Sequence, residues 1–176
     1  MSERNYKIRK ARIEDAEQFV KLHCLVWRHA YKHIFPEEVF AKKEAKIPEK
    51  IKSWPNYHIN NDNVICYVAE IDNKLIGFMA GTYISEYEHY QDFADLNGLY
   101  IHPDYQHIGL GKQFFDIFVN EIKKKNINKF MLGVLKDNFQ ARKAYEKWGG
   151  KLDTAYTLPY ENCGVKTEEV FYLYEI

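Results

Sequence analysis

The stretch LNGLYIHPDYQHIGLG, residues 96–111, decides how the rest of the chain is read. It runs from a short apolar strand, Leu99-Tyr100-Ile101, through Pro103, which cannot continue a hydrogen-bonded ladder, into a loop carrying Gly109 and Gly111. A helical pattern follows at once, with Leu110, Phe114, Phe115, Ile117, Phe118 and Ile122 on one face. Two residues without a Cβ permit a tight turn and close approach of a ligand. The amides of His107, Ile108, Gly109, Leu110, Gly111 and Lys112 then sit at a helix N-terminus. Unpaired N–H groups and the positive dipole end there suit a phosphate or pyrophosphate. A bare strand-to-helix connection accounts for the glycines equally well at this level. The three-glycine dinucleotide fingerprint is missing, and Gly111-Lys112 is followed by Gln113 rather than the Ser/Thr of a phosphate loop.

A second informative string is NFQARKAYEKWGG, residues 138–150. Asn138, Ala141 and Tyr145 stand at i, i+3 and i+7 and share one helical face. Asn138 suits an N-cap as well as a ligand contact, and Tyr145 suits core as well as chemistry.

Taken whole, the two strings resemble the acyl-CoA-binding core of the GNAT N-acetyltransferase superfamily. Gln106-His107-Ile108-Gly109-Leu110-Gly111 matches its Gln/Arg-x-x-Gly-x-Gly/Ala loop, and Leu99-Tyr100-Ile101-His102-Pro103 its Leu-Tyr-Val-x-Pro strand. Residues 138–149 are similar to its Asn-x-x-Ala-x-x-x-Tyr-x-x-x-Gly-Phe helix, with Gly150 where Phe is usual. The resemblance implies that backbone groups of Leu99, Tyr100 and Ile101 hold the pantetheine arm and thioester. It implies that the loop from Gln106 to Lys112 binds the pyrophosphate, that Asn138 contacts the cofactor, and that Tyr145 protonates the departing thiolate. Asp95, on the same strand at a position often acidic in this family, is the candidate base; a solvent-facing carboxylate is the alternative. Trp27-Arg28-His29-Ala30-Tyr31 is similar to a Trp-x-x-x-Tyr stretch that borders the acceptor site in small-molecule members, which marks Tyr31 and, with core packing as its rival, Trp27.

The remaining chain fits one domain over residues 1–176. That length buries a real core, and 46% hydrophobic with 28% charged residues is a soluble globular profile. Lys+Arg and Asp+Glu are both 25, so no general electrostatic grip on nucleic acid or an anionic membrane is expected. MSERNYKIRK, residues 1–10, carries no apolar leader, and the three cysteines lack metal spacing. A cytoplasmic location, reduced thiols and no metal are therefore expected.

In order, residues 6–9 read as a strand and 13–31 as a helix. A second helix runs from Pro36 to about Ile51, interrupted by Pro48. Residues 64–71 and 75–84 form a hairpin about Asp72-Asn73-Lys74, with Gly77 marking a bulge. Residues 85–92 hold Glu86, Tyr87, Glu88, His89 and Tyr90: a solvated loop, or an acidic aromatic rim for a cationic amine. Residues 130–135 are a buried strand, and 151–158 and 168–174 are strands around a loop at 159–166. The order β-α-α-β-β-β-α-β-α-β-β is an α/β mixture with a mainly antiparallel front half. It is also the order of the GNAT fold, and that resemblance implies a mixed, mainly antiparallel central sheet of about seven strands flanked by helices.

The expected activity is transfer of an acetyl group from acetyl-CoA to a primary amine of a small molecule or peptide, by direct attack in a ternary complex. The alternative is a non-catalytic GNAT-fold acyl-CoA sensor. A homodimer is a family-level expectation.

Overall fold

The computed structural model describes residues 5–176; the first four, part of the N-terminal stretch read for a leader, lie outside the described residues. Seven strands, β1 (Lys7–Lys10), β2 (Val64–Ile71), β3 (Lys74–Thr82), β4 (Ala94–Ile101), β5 (Lys129–Leu135), β6 (Lys151–Asn162) and β7 (Val165–Glu175), form one sheet. Its order is β1-β2-β3-β4-β5-β7-β6, and every neighbouring pair is antiparallel except β4 with β5. The helices are α1 (Ala16–Tyr31), α2 (Glu37–Ala45), α3 (Ile47–His58), α4 (Leu110–Lys123) and α5 (Phe139–Lys147). A parallel pair needs a crossover, and α4 supplies it between β4 and β5.

Each face of the sheet buries its own core. Phe114, Phe118 and Ile122 of α4 are fully buried against Phe130, Leu132 and Tyr172, and Ala141, Tyr145 and Trp148 pack beside them. On the opposite face Phe19 stacks on Phe78 at 3.7 Å between centroids and tilts against Trp54 at 5.0 Å. The start of α1 is fixed without a Ser/Thr cap. The Arg12 N–H donates to Asp15 at 2.7 Å, and the Arg9 guanidinium bridges Asp15 and Glu70.

Two sequence expectations are corrected. The second helical stretch, expected to be interrupted by Pro48 and to end near Ile51, divides at Lys46 into two helices and runs on to His58, so three helices precede β2. Lys46 ends α2 and opens α3, and Pro48 lies in the first turn of α3, where its missing N–H has no intrahelical partner to lose. The loop expected at 159–166 is a two-residue turn: Cys163 (φ 47°) and Gly164 (φ 76°) are both left-handed, as a tight hairpin with right-twisted strands requires. Pro159 is tolerated inside β6 because β6 is the sheet edge. The turn before β3 is of the same kind, with Asp72 (φ 48°) and Asn73 (φ 62°), and the bulge expected at Gly77 falls beside it, opposite Ala69/Glu70.

The feature that creates a site is the parting of β4 from β5. They pair only at Ala94–Phe130 and Asp95–Met131, then separate. A bulge in β4 bends it there: Gly98 faces Ala80 and Asp95 faces Thr82, so Leu96 and Asn97 together oppose Gly81. Gly81 has no alternative, since a Cβ would stand 2.5 Å from the Phe118 ring and 2.6 Å from the Asp95 carbonyl.

Candidate active site

Where β4 and β5 diverge, a cleft of about 900 Å³ opens, walled by the C-terminal half of α1, by β4, β5 and α5, and by the N-terminus of α4. Antiparallel alternation decides which backbone groups face it. His102 donates to the Ile76 carbonyl at 2.8 Å, so His102 and Tyr100, two residues apart, spend their N–H and C=O groups on β3. Leu99 and Ile101 therefore turn theirs toward the gap. The Ile101 carbonyl accepts from Gln106 Nε2 at 3.1 Å, which ties the loop to the strand. Tyr100, expected to offer main chain, contributes its side chain instead, packed at 4.6 Å from the His23 ring.

The loop enters α4 through two left-handed residues, His107 (φ 62°) and Gly109 (φ 87°), the latter at the N-cap. The first helical bond at this end runs from the Gln113 N–H to the Gly109 carbonyl at 3.2 Å, leaving the N–H groups of Leu110, Gly111 and Lys112 without intrahelical partners. His107, Gly109, Gly111 and Lys112 line the cleft. The Leu110 side chain is core, and the Ile108 side chain points to solvent outside the cleft lining, so each has only its backbone to offer. At Gly111 a Cβ would meet Ile101 at 3.3 Å and the Trp148 ring at 3.5 Å, so the bare backbone keeps that passage open.

Asn138 caps α5 and does more. Its Oδ1 accepts from the Ala141 N–H at 3.2 Å, while its Nδ2 donates to the Tyr31 hydroxyl at 3.1 Å, joining α5 to α1 across the cleft. Tyr145 is half-buried on the cleft wall, and its burial, reinforced by Tyr31, keeps the phenol protonated far above its ordinary range. Gly150, where the GNAT pattern has Phe, is explained by Tyr174: a Cβ would lie 2.6 Å from the Tyr174 hydroxyl, which donates to the Tyr145 carbonyl at 2.8 Å. The Tyr174 ring fills the space and stacks on Phe130 at 4.4 Å.

Two sequence candidates do not reach the cleft. Trp27 is buried among Tyr31, Phe35 and Phe40, with the Lys43 ammonium 4.0 Å above its ring, because it faces α2 rather than β4. Asp95 is 3% exposed, not solvent-facing, and lies outside the cleft lining. Burial, aided by the charges of Glu169 and Glu86, pushes its pKa up to about 7, and its Oδ1 has no hydrogen-bond partner. The segment at 85–92 is pinned against the sheet rather than a free loop. His89 stacks on Tyr156 at 4.0 Å, Tyr90 donates to Asp153 at 2.8 Å, and Tyr87 donates to Glu169 at 3.2 Å. Among the described residues no group of three His, Cys, Asp or Glu side chains is placed to hold a metal ion.

Residues 20–150 match the Acetyltransferase (GNAT) family. The chain belongs to that family. A spermidine N(1)-acetyltransferase from Thermoplasma acidophilum is 29% identical over 149 residues, covering 84% of this chain and 89% of that protein. Among solved structures, the PaiA N-acetyltransferase from Thermoplasma acidophilum in complex with coenzyme A superposes with a TM-score of 0.72 at 24% identity, covering 98% of this chain and 99% of that one. An N-acetyltransferase from Staphylococcus aureus Mu50 gives 0.70 at 20% identity, covering 97% and 98%. The GNAT fold is thus shared over nearly the full length.

Among the residues the sequence reading did not single out, Gly133 and Trp148 line the cleft, and Glu169 of β7 lies against Gly133. Trp148 had a signal, as a large aromatic just before the Gly149 helix stop. Glu169 had none, because only the β5–β7 register brings it to β4's neighbour.

Proposed function

We propose that this chain is an acetyl-CoA-dependent N-acetyltransferase whose acceptor is a small cationic amine of the polyamine kind. The observation that carries the reading is the parted β4–β5 pair, whose cleft joins free strand amides, an open helix N-terminus and the Tyr145 phenol. The diphosphate of acetyl-CoA rests on the N–H groups of Leu110, Gly111 and Lys112, where dipole and unpaired donors act together. The pantetheine arm runs along β4 like an added strand, bonding to Leu99 and Ile101. The Leu99 N–H is the nearest preorganised donor for the thioester oxygen as it becomes an oxyanion. Tyr145, neutral at physiological pH, gives its proton to the departing thiolate. Asn138 keeps Tyr31 and the start of α5 in place around the thioester.

The acceptor enters from the α1 side, past Tyr31. The Thermoplasma relative named for spermidine supports a polyamine-like amine, and so does the mutual proximity of the carboxylates Glu86, Asp95 and Glu169, the last lying against the lining residue Gly133. Direct attack in a ternary complex fits because Cys24 and Cys66 are buried away from the cleft lining and Cys163 lies in the β6–β7 turn. Release of free thiol from acetyl-CoA, followed with spermidine, putrescine and an alanine-terminated peptide, tests the reading. Amine-dependent release is expected, and binding of acetyl-CoA with no release for any amine would overturn it in favour of a sensor.

A further inference from the structure

Strand alternation puts Met131, Gly133 and Leu135 of β5 on the sheet face toward α1, and β7 pairs antiparallel alongside with Phe171 opposite Gly133 and Glu169 opposite Leu135. The Glu169 side chain leans diagonally over Gly133: a Cβ at that position would stand 2.4 Å from Oε1. The missing side chain of Gly133 is what lets a carboxylate lie against a residue that lines the cleft. Tyr87 holds the other oxygen, Oε2, at 3.2 Å. Among the described residues no lysine or arginine pairs with Glu169, although eleven other carboxylates have such partners. A half-buried carboxylate without a cation, separated from the cleft only by a residue with no side chain, is arranged to receive one.

We propose that Glu169 is the group that pairs with the acceptor's ammonium and takes its proton before attack. This rests on the transferase reading and names a residue for its first step. The ammonium R–NH3+ gives one proton to Glu169 and becomes R–NH2, whose lone pair attacks the thioester carbon. The tetrahedral adduct then expels coenzyme A by breaking the C–S bond. The thiolate takes the Tyr145 proton, the adduct nitrogen returns a proton to Tyr145, and Glu169 releases its own to solvent. The net products are the acetamide, CoA–SH and one proton.

Asp95 is the rival for this role, and geometry separates the two. Neither carboxylate is itself a lining residue, but Asp95 is 3% exposed and enclosed, whereas Glu169 is half-buried and lies against Gly133, which lines the cleft. Asp95 is the neighbouring carboxylate, and the charge of Glu169 is one of the causes that raise its pKa. The titratable groups around Glu169 are Tyr87 from the segment before β4, Asp95 and Tyr100 on β4, and Tyr31 on α1. Burial lifts the Glu169 pKa while the Tyr87 hydrogen bond holds it back, which suits a base better than a solvated carboxylate.

Glu169→Gln keeps the side-chain shape and removes the base. With spermidine and acetyl-CoA at neutral pH, kcat/KM for the amine should fall about 100-fold. The deficit should shrink as pH rises toward ~10, where solvent deprotonates the amine without help. Affinity for acetyl-CoA should stay unchanged. Glu168→Gln, at the exposed neighbour paired with Lys136, serves as the control with wild-type activity. A Glu169→Gln enzyme within twofold of wild type at neutral pH, or a deficit equal at every pH, overturns the proposal. A wild-type protein that releases no thiol with any amine overturns the transferase reading instead.

Discussion

Tyr145 and Tyr31 offer two phenols to one cleft, and their surroundings assign them different work. The Tyr31 hydroxyl already accepts from Asn138, so its position is fixed by the contact between α1 and α5. Tyr145 hangs from α5 with its backbone carbonyl tied by Gly150 and Tyr174. Tyr145→Phe is expected to lower turnover by about 100-fold while acetyl-CoA affinity changes less than threefold. Pre-steady-state measurement of thiol release checks this, and a full-speed chemical step would remove Tyr145 as the acid. At Gly133 the same reasoning gives a second outcome. Gly133→Ala leaves the charge of Glu169 in place but pushes its carboxylate away from the cleft's edge. The carboxylate is the end of a flexible chain, but the buried Phe171 ring 3.1 Å from the new Cβ must also give, so the melting temperature should fall slightly while acceptor kcat/KM falls at least tenfold.

At the scale of elements, two glycines do opposite jobs around the parted strands. Gly109 opens α4 at φ 87°, and a Cβ there would meet nothing within 4 Å, so its requirement is conformational alone. Gly109→Ala should cost about 1 kcal/mol of stability, lower the melting temperature by ~2–4 °C and weaken acetyl-CoA binding, read by calorimetry. Gly81 lies opposite the β4 bulge, where backbone and the Phe118 ring leave no space. Gly81→Ala should cost about 1–3 kcal/mol by overpacking and lower the melting temperature. A variant as stable as wild type would mean the bulge can relax, and with it the opening of the cleft.

Across the whole molecule, the acidic end of the cleft sets a tension between folding and function. Asp95 is held in the sheet at a pKa of about 7, against 3.8 for the free side chain. An acid that binds its proton more tightly when folded favours the fold while protonated, and the fold loses stability as pH climbs from ~4 through 7. At ~1.4 kcal/mol for each tenfold displacement of the proton equilibrium, the penalty approaches ~4 kcal/mol in alkaline solution. Asp95→Asn should therefore melt higher than wild type at pH 8, with the gap narrowing toward pH 5. Equal melting temperatures at pH 8 would show that Asp95 is not buried as a charge. The Arg9 bridge to Asp15 and Glu70 works in the other direction: its hydrogen bonds hold the Asp15 pKa down against burial, so that stability is present above ~4 and is lost only in acid.

Most of what is local was legible in the sequence. The strand–loop–glycine–helix passage at 96–111 and the helix opened by Asn138 follow from patterns within about twenty residues, since turns, caps and periodicity are short-range, while the mixed sheet was implied by the family resemblance. Pro48 marked a real break, which falls at Lys46 just before it, whereas Pro159 misled: it read as loop although an edge strand accepts it. What only the tertiary structure decided is which side chains share the cleft. Trp27 turns to α2, Asp95 is sealed within the sheet, and Glu169 arrives over Gly133 from the last strand. Those outcomes depend on strand register and on a bulge of one extra residue, which no spacing along the chain encodes.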